Sequence, residues 1–186
     1  SVISVPLREE NDFVPSLAKI VQDIYPKPKL LVLSFPHNPT GAVVDLAFFE
    51  EVVHYARRHN ILVVHDLAYA DLAYDGYAAP SILQVEGAKE IAVEFYSLSK
   101  SHSMAGWRIG FAVGNRDILS ALSRIKSYYD YGIFAPVQIA AIMALRTEEH
   151  ILKETVNTYR TRRDVLVESM ARIGWEIPSP KATIFA

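Results

Sequence analysis

Apolar and polar positions along the chain follow two alternating rhythms. Short apolar runs, Val2–Leu7 ("VISVPL"), Lys29–Phe35 ("KLLVLSF"), Ile61–Asp66 ("ILVVHD"), "EIAVEFYSL" and "RIGFAVG", predict strands. The continuous apolar character of Lys29–Phe35 and Ile61–Asp66 predicts strands buried on both faces. Between them lie stretches with apolar residues at helical spacing. Pro15–Tyr25 is one, with Pro where a helix start tolerates it. "DLAFFEEVVHYARRHN" is another, with Asp45 as N-cap and Leu46, Phe49, Val52, Val53 and Ala56 as its apolar stripe. Further helical patterns cover "RDILSALSRIKSYYD", "PVQIAAIMALR" and Glu148 to about Arg172. This alternation predicts an α/β fold with a mostly parallel central sheet and flanking helices. Ligands of such folds bind beyond the carboxyl ends of the strands, so the loops after Phe35, Val64 and Phe95 are where chemistry is expected. Near Gly174 the pattern shifts to short, Pro-containing extended pieces, and a domain boundary is expected there. Both ends fall in extended runs, so the expectation is a fragment of a longer protein.

Composition narrows the function classes. The 186 residues are 51% hydrophobic and carry a formal net charge of −2. That balance gives no electrostatic reason to expect nucleic acid or an anionic membrane as a partner. There is no cysteine, which rules out disulfides, thiolate metal sites and a Cys nucleophile. No apolar run approaches the roughly 18 residues of a membrane span. No His, Asp or Glu grouping has metal-ligand spacing, so no metal is expected.

Three strand ends carry polar residues. After the second apolar run comes "FPHNPTG" (Phe35–Gly41), a sharp turn rather than a helix start. It is either an ordinary surface turn or a place where the Asn38 amide meets a ligand. After the third comes "VVHDLAYADLAYDG", with Asp66 at the strand end and Tyr69 one helical turn beyond. Asp66 either caps a helix or faces a ligand cation. After the fourth comes "SLSK", in which Lys100 is expected in a loop. A partly desolvated lysine is a nucleophile for aldehydes and ketones. Ser97, Ser99 and Arg108 supply hydroxyls and a guanidinium able to hold a phosphate, and Gly106 lets the chain bend between them. "SLSK" also fits the Ser-x-x-Lys pattern of serine acylases, but it follows a strand and has no "SDN" or "KTG" partner. Together the three sets describe a site for pyridoxal 5'-phosphate.

The order "NPTG", "DLAY", "SLSK", "MAGWRIG" resembles the class I/II aminotransferases of the pyridoxal-phosphate-dependent transferase fold, over nearly the whole chain. The wording of "SLSKSHSMAGWRIGF" and "KSYYDYGIFAPVQ" is similar to the bacterial alanine (glutamate–pyruvate) aminotransferase branch, with aspartate and LL-diaminopimelate aminotransferases as neighbours. The resemblance implies that Lys100 bonds the cofactor aldehyde and carries the α-proton. It implies that Asp66 pairs with the ring nitrogen, that Asn38 and Tyr69 donate to the ring oxygen, and that Ser97 and Arg108, with Ser99, hold the phosphate. It further implies a cis peptide at Asn38–Pro39, amino acid and 2-oxo acid substrates and a homodimer in the full-length protein; a cytoplasmic location is expected, in keeping with the absence of cysteine. Residues 1–173 then correspond to part of the cofactor-binding large domain with a connecting helix, and 174–186 to the start of a small domain.

The family's Gly-rich phosphate loop, ring-stacking aromatic and substrate-carboxylate arginine have no counterpart here, so the isolated chain is expected to be inactive. Arg160, Arg162 and Arg163 are expected on a solvated helix face, and Tyr74 and Tyr77 in packing roles. His65 packs or hydrogen-bonds, and His102 fills space. Tyr128, Tyr129 and Tyr131 line either the substrate side or a subunit contact. A carbon–sulfur lyase on the same cofactor, and a cofactor-sensing transcription regulator, are the alternative functions.

Overall fold

The computed structural model describes residues 2–17, 27–146 and 149–186. Four strands form one sheet in the order β1 (Leu30–Ser34), β2 (Leu62–Asp66), β3 (Ala92–Ser97), β4 (Gly110–Gly114). The first three run parallel and β4 is antiparallel to β3. Among the described residues five α-helices accompany them: α1 (Leu46–His59), α2 (Leu98–Ser101), α3 (Arg116–Tyr129), α4 (Ala135–Leu145) and α5 (Glu149–Arg172). The α/β class and the mostly parallel sheet are therefore as expected. No helix of the described residues is long and apolar enough to cross a membrane.

Helix α1 forms where its sequence dictates. Asp45 accepts the Phe48 N–H at 3.0 Å, and Asn60 ends the helix in the left-handed region at φ 54°. Phe49, Val52, Val53 and Ala56 are buried against Leu31, Leu33 and Val63 of the sheet, while Leu46 stays at the rim. A second apolar cluster joins Leu98, Met104 and Ile109 to Ala141 of α4. Gly110 permits the close approach of β4 to β3: a Cβ there would stand 2.4 Å from the Tyr96 carbonyl oxygen.

Several expectations are corrected. Val2–Leu7 forms no strand: it runs as irregular chain and joins no ladder of the sheet. The strands β1 and β2 are not buried on both faces. Leu31 and Leu33 point into the core, but Val32 is 63% exposed and Leu30 and Leu62 are open as well. Helix α1 covers one face, and among the described residues the other lacks such a cover. Most of the segment expected to be helical, Pro15–Tyr25, lies outside the described residues. Tyr128, Tyr129 and Tyr131 need no correction: all are exposed, as a place on the substrate side or at a subunit contact allows.

Arg163 is not on a solvated face. Its side chain is only 9% exposed and donates to Asp75 at 2.6 Å and to the Pro180 carbonyl at 2.9 Å. Its guanidinium also lies 4.9 Å over the Tyr74 ring. The clasp holds α5 against the 72–75 segment and the C-terminal residues, where Ala73 and Ala182 form a bridge and Tyr74 donates to the Thr183 carbonyl. Arg163→Ala removes the ring contact and strands a carbonyl, a loss of about 2 kcal/mol. Thermal unfolding is expected to show a drop of roughly 4–8 °C for a chain of this size.

Tyr74 and Tyr77 pack, as expected. Burial pushes both phenols up to about 12. An unfolded chain releases these protons near pH 10. Between pH 10 and 12 the unfolded state therefore holds fewer protons than the folded one, and stability falls as pH rises. Melting curves across that window are expected to show the decline, and a Tyr74→Phe, Tyr77→Phe double variant is expected to flatten it.

Candidate active site

Parallel pairing brings the three polar sets to one edge. The ladder aligns Ser34 with Asp66 and Asp66 with Phe95, so β1, β2 and β3 all end at the same side of the sheet. The chain leaving β1 turns at once. Gly41 N–H donates to His37 and His37 N–H donates to Ala42, closing the loop that presents Asn38 to solvent. Both Asn38–Pro39 and Phe35–Pro36 are cis. The first is the expected bond; the second was not anticipated. His37 is fixed to the Thr40 hydroxyl at 2.8 Å, and burial lowers its pKa.

Asp66 is exposed at the end of β2, and one carboxylate oxygen accepts the Ala68 N–H at 3.1 Å. It thus organises the following turn without capping a helix. Tyr69 is buried under this turn. Its phenol pKa is raised by burial and by the Asp66 carboxylate, and pulled back by the Asn38 side chain beside it. Those influences put Asn38, Asp66 and the Tyr69 hydroxyl in one neighbourhood.

Lys100 arrives from β3. It lies not in a loop but in the four-residue helix α2, whose N-cap is Ser97 accepting the Ser99 N–H at 3.2 Å. Its place after a strand therefore does not separate "SLSK" from the serine acylases, since α2 begins here; the missing partner motifs still do. Lys100 is half-buried, with Nζ 5.7 Å from the centre of the Tyr69 ring. Ser97 pairs with Gly110 across the β3–β4 ladder, two residues from Arg108. Arg108 sits in the left-handed region at φ 52° and donates to the Ala105 carbonyl at 2.9 Å. Arg108 is exposed, and the half-buried Ser97 and Ser99 stand where β3 passes into α2.

The structure thus groups Asn38, Asp66, Tyr69 and Lys100 closely, and brings Ser97, Ser99 and Arg108 beside them. Such a set is able to receive an aldehyde at the amine, a protonated ring nitrogen at the carboxylate and an anion at the guanidinium. Two polar features escaped the reading of the sequence. Glu94 is buried in β3 and bonds His65, its register partner in β2. An acid inside the otherwise apolar run "AVEFY" was the available signal. Asp71 is the other: burial raises its pKa, opposed by His102 and by the Ser101 hydroxyl. His102 itself bonds Ser101 at 2.8 Å instead of merely filling space.

The model of the family "Aminotransferase class I and II" matches residues 1–186. Glutamate–pyruvate aminotransferase AlaC of Escherichia coli is 54% identical over 99% of this chain and 45% of its own length. LL-diaminopimelate aminotransferase 2 of Trichormus variabilis is 48% identical over 98% of this chain and 47% of its own. Among solved structures, apo-BacF from Bacillus subtilis superposes with a TM-score of 0.91 at 37% identity, over 97% of this chain and 48% of that one. The aspartate aminotransferase of Thermotoga maritima does so with 0.89 at 30%, over 98% and 48%. The chain spans about half the length of the relatives it matches. With a family match along its whole length and motif residues gathered at one sheet edge, this chain belongs to the class I and II aminotransferases.

Proposed function

We propose that this chain is the cofactor-binding part of a pyridoxal-phosphate-dependent aminotransferase that moves an amino group between alanine or glutamate and pyruvate or 2-oxoglutarate. The observation that carries the reading is the convergence of Lys100, Tyr69, Asp66 and Asn38 at the carboxyl edge of three parallel strands. The donor set fits the cofactor group by group. Lys100 Nζ matches its aldehyde, the Asp66 carboxylate its ring nitrogen, Asn38 and Tyr69 its ring oxygen, and Ser97, Ser99 and Arg108 its phosphate. Bound there, pyridoxal phosphate supplies the electron sink for the pair left when the substrate α-proton departs.

The chain's own residues do the rest. Lys100 Nζ takes the α-proton and later returns it. The Asp66 carboxylate keeps a proton on the facing ring nitrogen. The Tyr69 hydroxyl and the Asn38 amide fix the ring's in-plane orientation, and Arg108 with the two serines tethers its far end. Orientation of the C–H bond against the ring is what these contacts provide.

Turnover belongs to the full-length protein on this reading. The same holds for a homodimer, which rests on the family, for a cytoplasmic location, which the cysteine-free composition fits, and for the division at residue 173, which rests on the shift of pattern near Gly174. The exposed aromatic run from Tyr128 to Phe134 suits a surface that a second subunit covers. The 48% identity to LL-diaminopimelate aminotransferases favours LL-diaminopimelate as the second candidate donor. Pyruvate formation by the full-length protein from alanine and 2-oxoglutarate tests the choice. Higher kcat/KM with LL-diaminopimelate than with alanine overturns the first substrate assignment.

A further inference from the structure

His65 is fully buried and Glu94 is 5% exposed, yet neither belongs to the site above. Their bonds form a closed set. His65 Nε2 lies 3.0 Å from the Phe35 carbonyl oxygen, and Nδ1 lies 2.9 Å from Glu94 Oε2. Glu94 Oε2 also accepts the Ile82 N–H at 3.0 Å, and Oε1 accepts the Ser81 hydroxyl at 2.8 Å. A carbonyl only accepts, so Nε2 carries a proton directed at Phe35. One further proton lies between Nδ1 and Oε2. With it, every buried polar atom of the pair has a partner, which is the condition for tolerating such a pair in a core. Phe49, with its ring centre 4.7 Å from the imidazole, packs against the ring.

The carbonyl that His65 holds is placed to matter. The β1–β2 ladder ends at Ser34 and Asp66, so Phe35 is the first residue beyond it. Asn38 follows three residues later. His65 and Asp66 are consecutive on β2 and therefore project to opposite faces. One residue fixes the start of the Asn38 turn from inside the core while its neighbour faces the site.

We propose that His65, held by Glu94, is a positioning residue for the cofactor site: its Nε2–H fixes the Phe35 carbonyl and so sets where Asn38 stands relative to Tyr69 and Asp66. The inference rests on the cofactor reading above, but the geometry of the turn tests it separately.

Two substitutions divide the clamp. In His65→Asn the shorter amide replaces Nδ1 and keeps the Glu94 contact while releasing Phe35. In His65→Gln the longer amide replaces Nε2 and keeps the Phe35 contact while loosening Glu94. Melting curves establish that each variant is folded at the temperature of measurement. NMR spectra of the cofactor-free chain then report the Asn38 and Tyr69 resonances. Pyridoxal phosphate binding is read from borohydride-trapped label at Lys100 against cofactor concentration.

His65→Asn is expected to move the Asn38 and Tyr69 signals and weaken binding about tenfold, the scale of one released buried contact. His65→Gln is expected to leave those signals near the parent's and to bind within about threefold, although it too loses melting temperature. A purely structural role predicts that binding follows melting temperature in both variants, which overturns the proposal. Unmoved Asn38 signals in folded His65→Asn, or failure of either variant to fold, also overturn it. If the full-length parent protein takes no label at Lys100, the cofactor reading fails, while the Asn38 signals still decide whether His65 sets the turn.

Discussion

Lys100→Ala is expected to lower the turnover of the full-length protein by ~10⁴-fold or more, the upper range for losing a positioned proton-transfer group. The amine has two roles in this account, covalent anchor and proton carrier, and no neighbour replaces it. The Tyr69 ring lies 5.7 Å from Lys100 Nζ, and burial keeps its phenol protonated. The fold is expected to survive. Lys100 is half-buried, and its contact with the Tyr69 ring is worth on the order of 1 kcal/mol. Steady-state kinetics beside a melting curve checks both halves. A variant with substantial residual turnover places the proton transfer elsewhere.

Asp66→Asn separates the two roles open to this residue. The amide oxygen of Asn still accepts the Ala68 N–H, so the turn after β2 is expected to keep its shape. What disappears is the negative charge that is proposed to face the ring nitrogen. A turn-forming role alone predicts no effect on rate. The ionic role predicts a fall in kcat/KM on the order of 100-fold or more, comparable to deleting one preorganised electrostatic contact. Stability is expected to change by no more than about 0.5 kcal/mol, as for other surface exchanges. Kinetics of the full-length variant, with its melting temperature as control, distinguishes the two.

What the sequence reveals and what it hides divide along physical lines. The order of strands and helices is legible because hydrophobic period follows secondary structure directly, as the cap and stripe of α1 show. So is the sheet edge on which Asn38, Asp66 and Lys100 meet, since parallel strands must end together. Exposure is less legible. Leu30, Val32 and Leu62 read as core residues, yet burial depends on what covers the sheet, and that is not encoded in a strand's own residues. Arg163 reads as solvated for a related reason. Its partners Asp75 and Pro180 are distant in sequence, and only the packing of α5 brings them together. Helix α2 is too short for any periodicity to register, so Lys100 reads as a loop residue. Glu94 and His65 carried a local signal each, a polar residue in an apolar run. Their pairing became visible only with the β2–β3 register.

The central claim is that Lys100 is the cofactor's anchor. Its most direct test is to add pyridoxal phosphate to the protein, reduce with borohydride and locate the modified peptide by mass spectrometry. The account predicts a label concentrated on Lys100 that disappears in Lys100→Ala. A label spread over exposed lysines such as Lys89 and Lys181, unchanged in the variant, would contradict it.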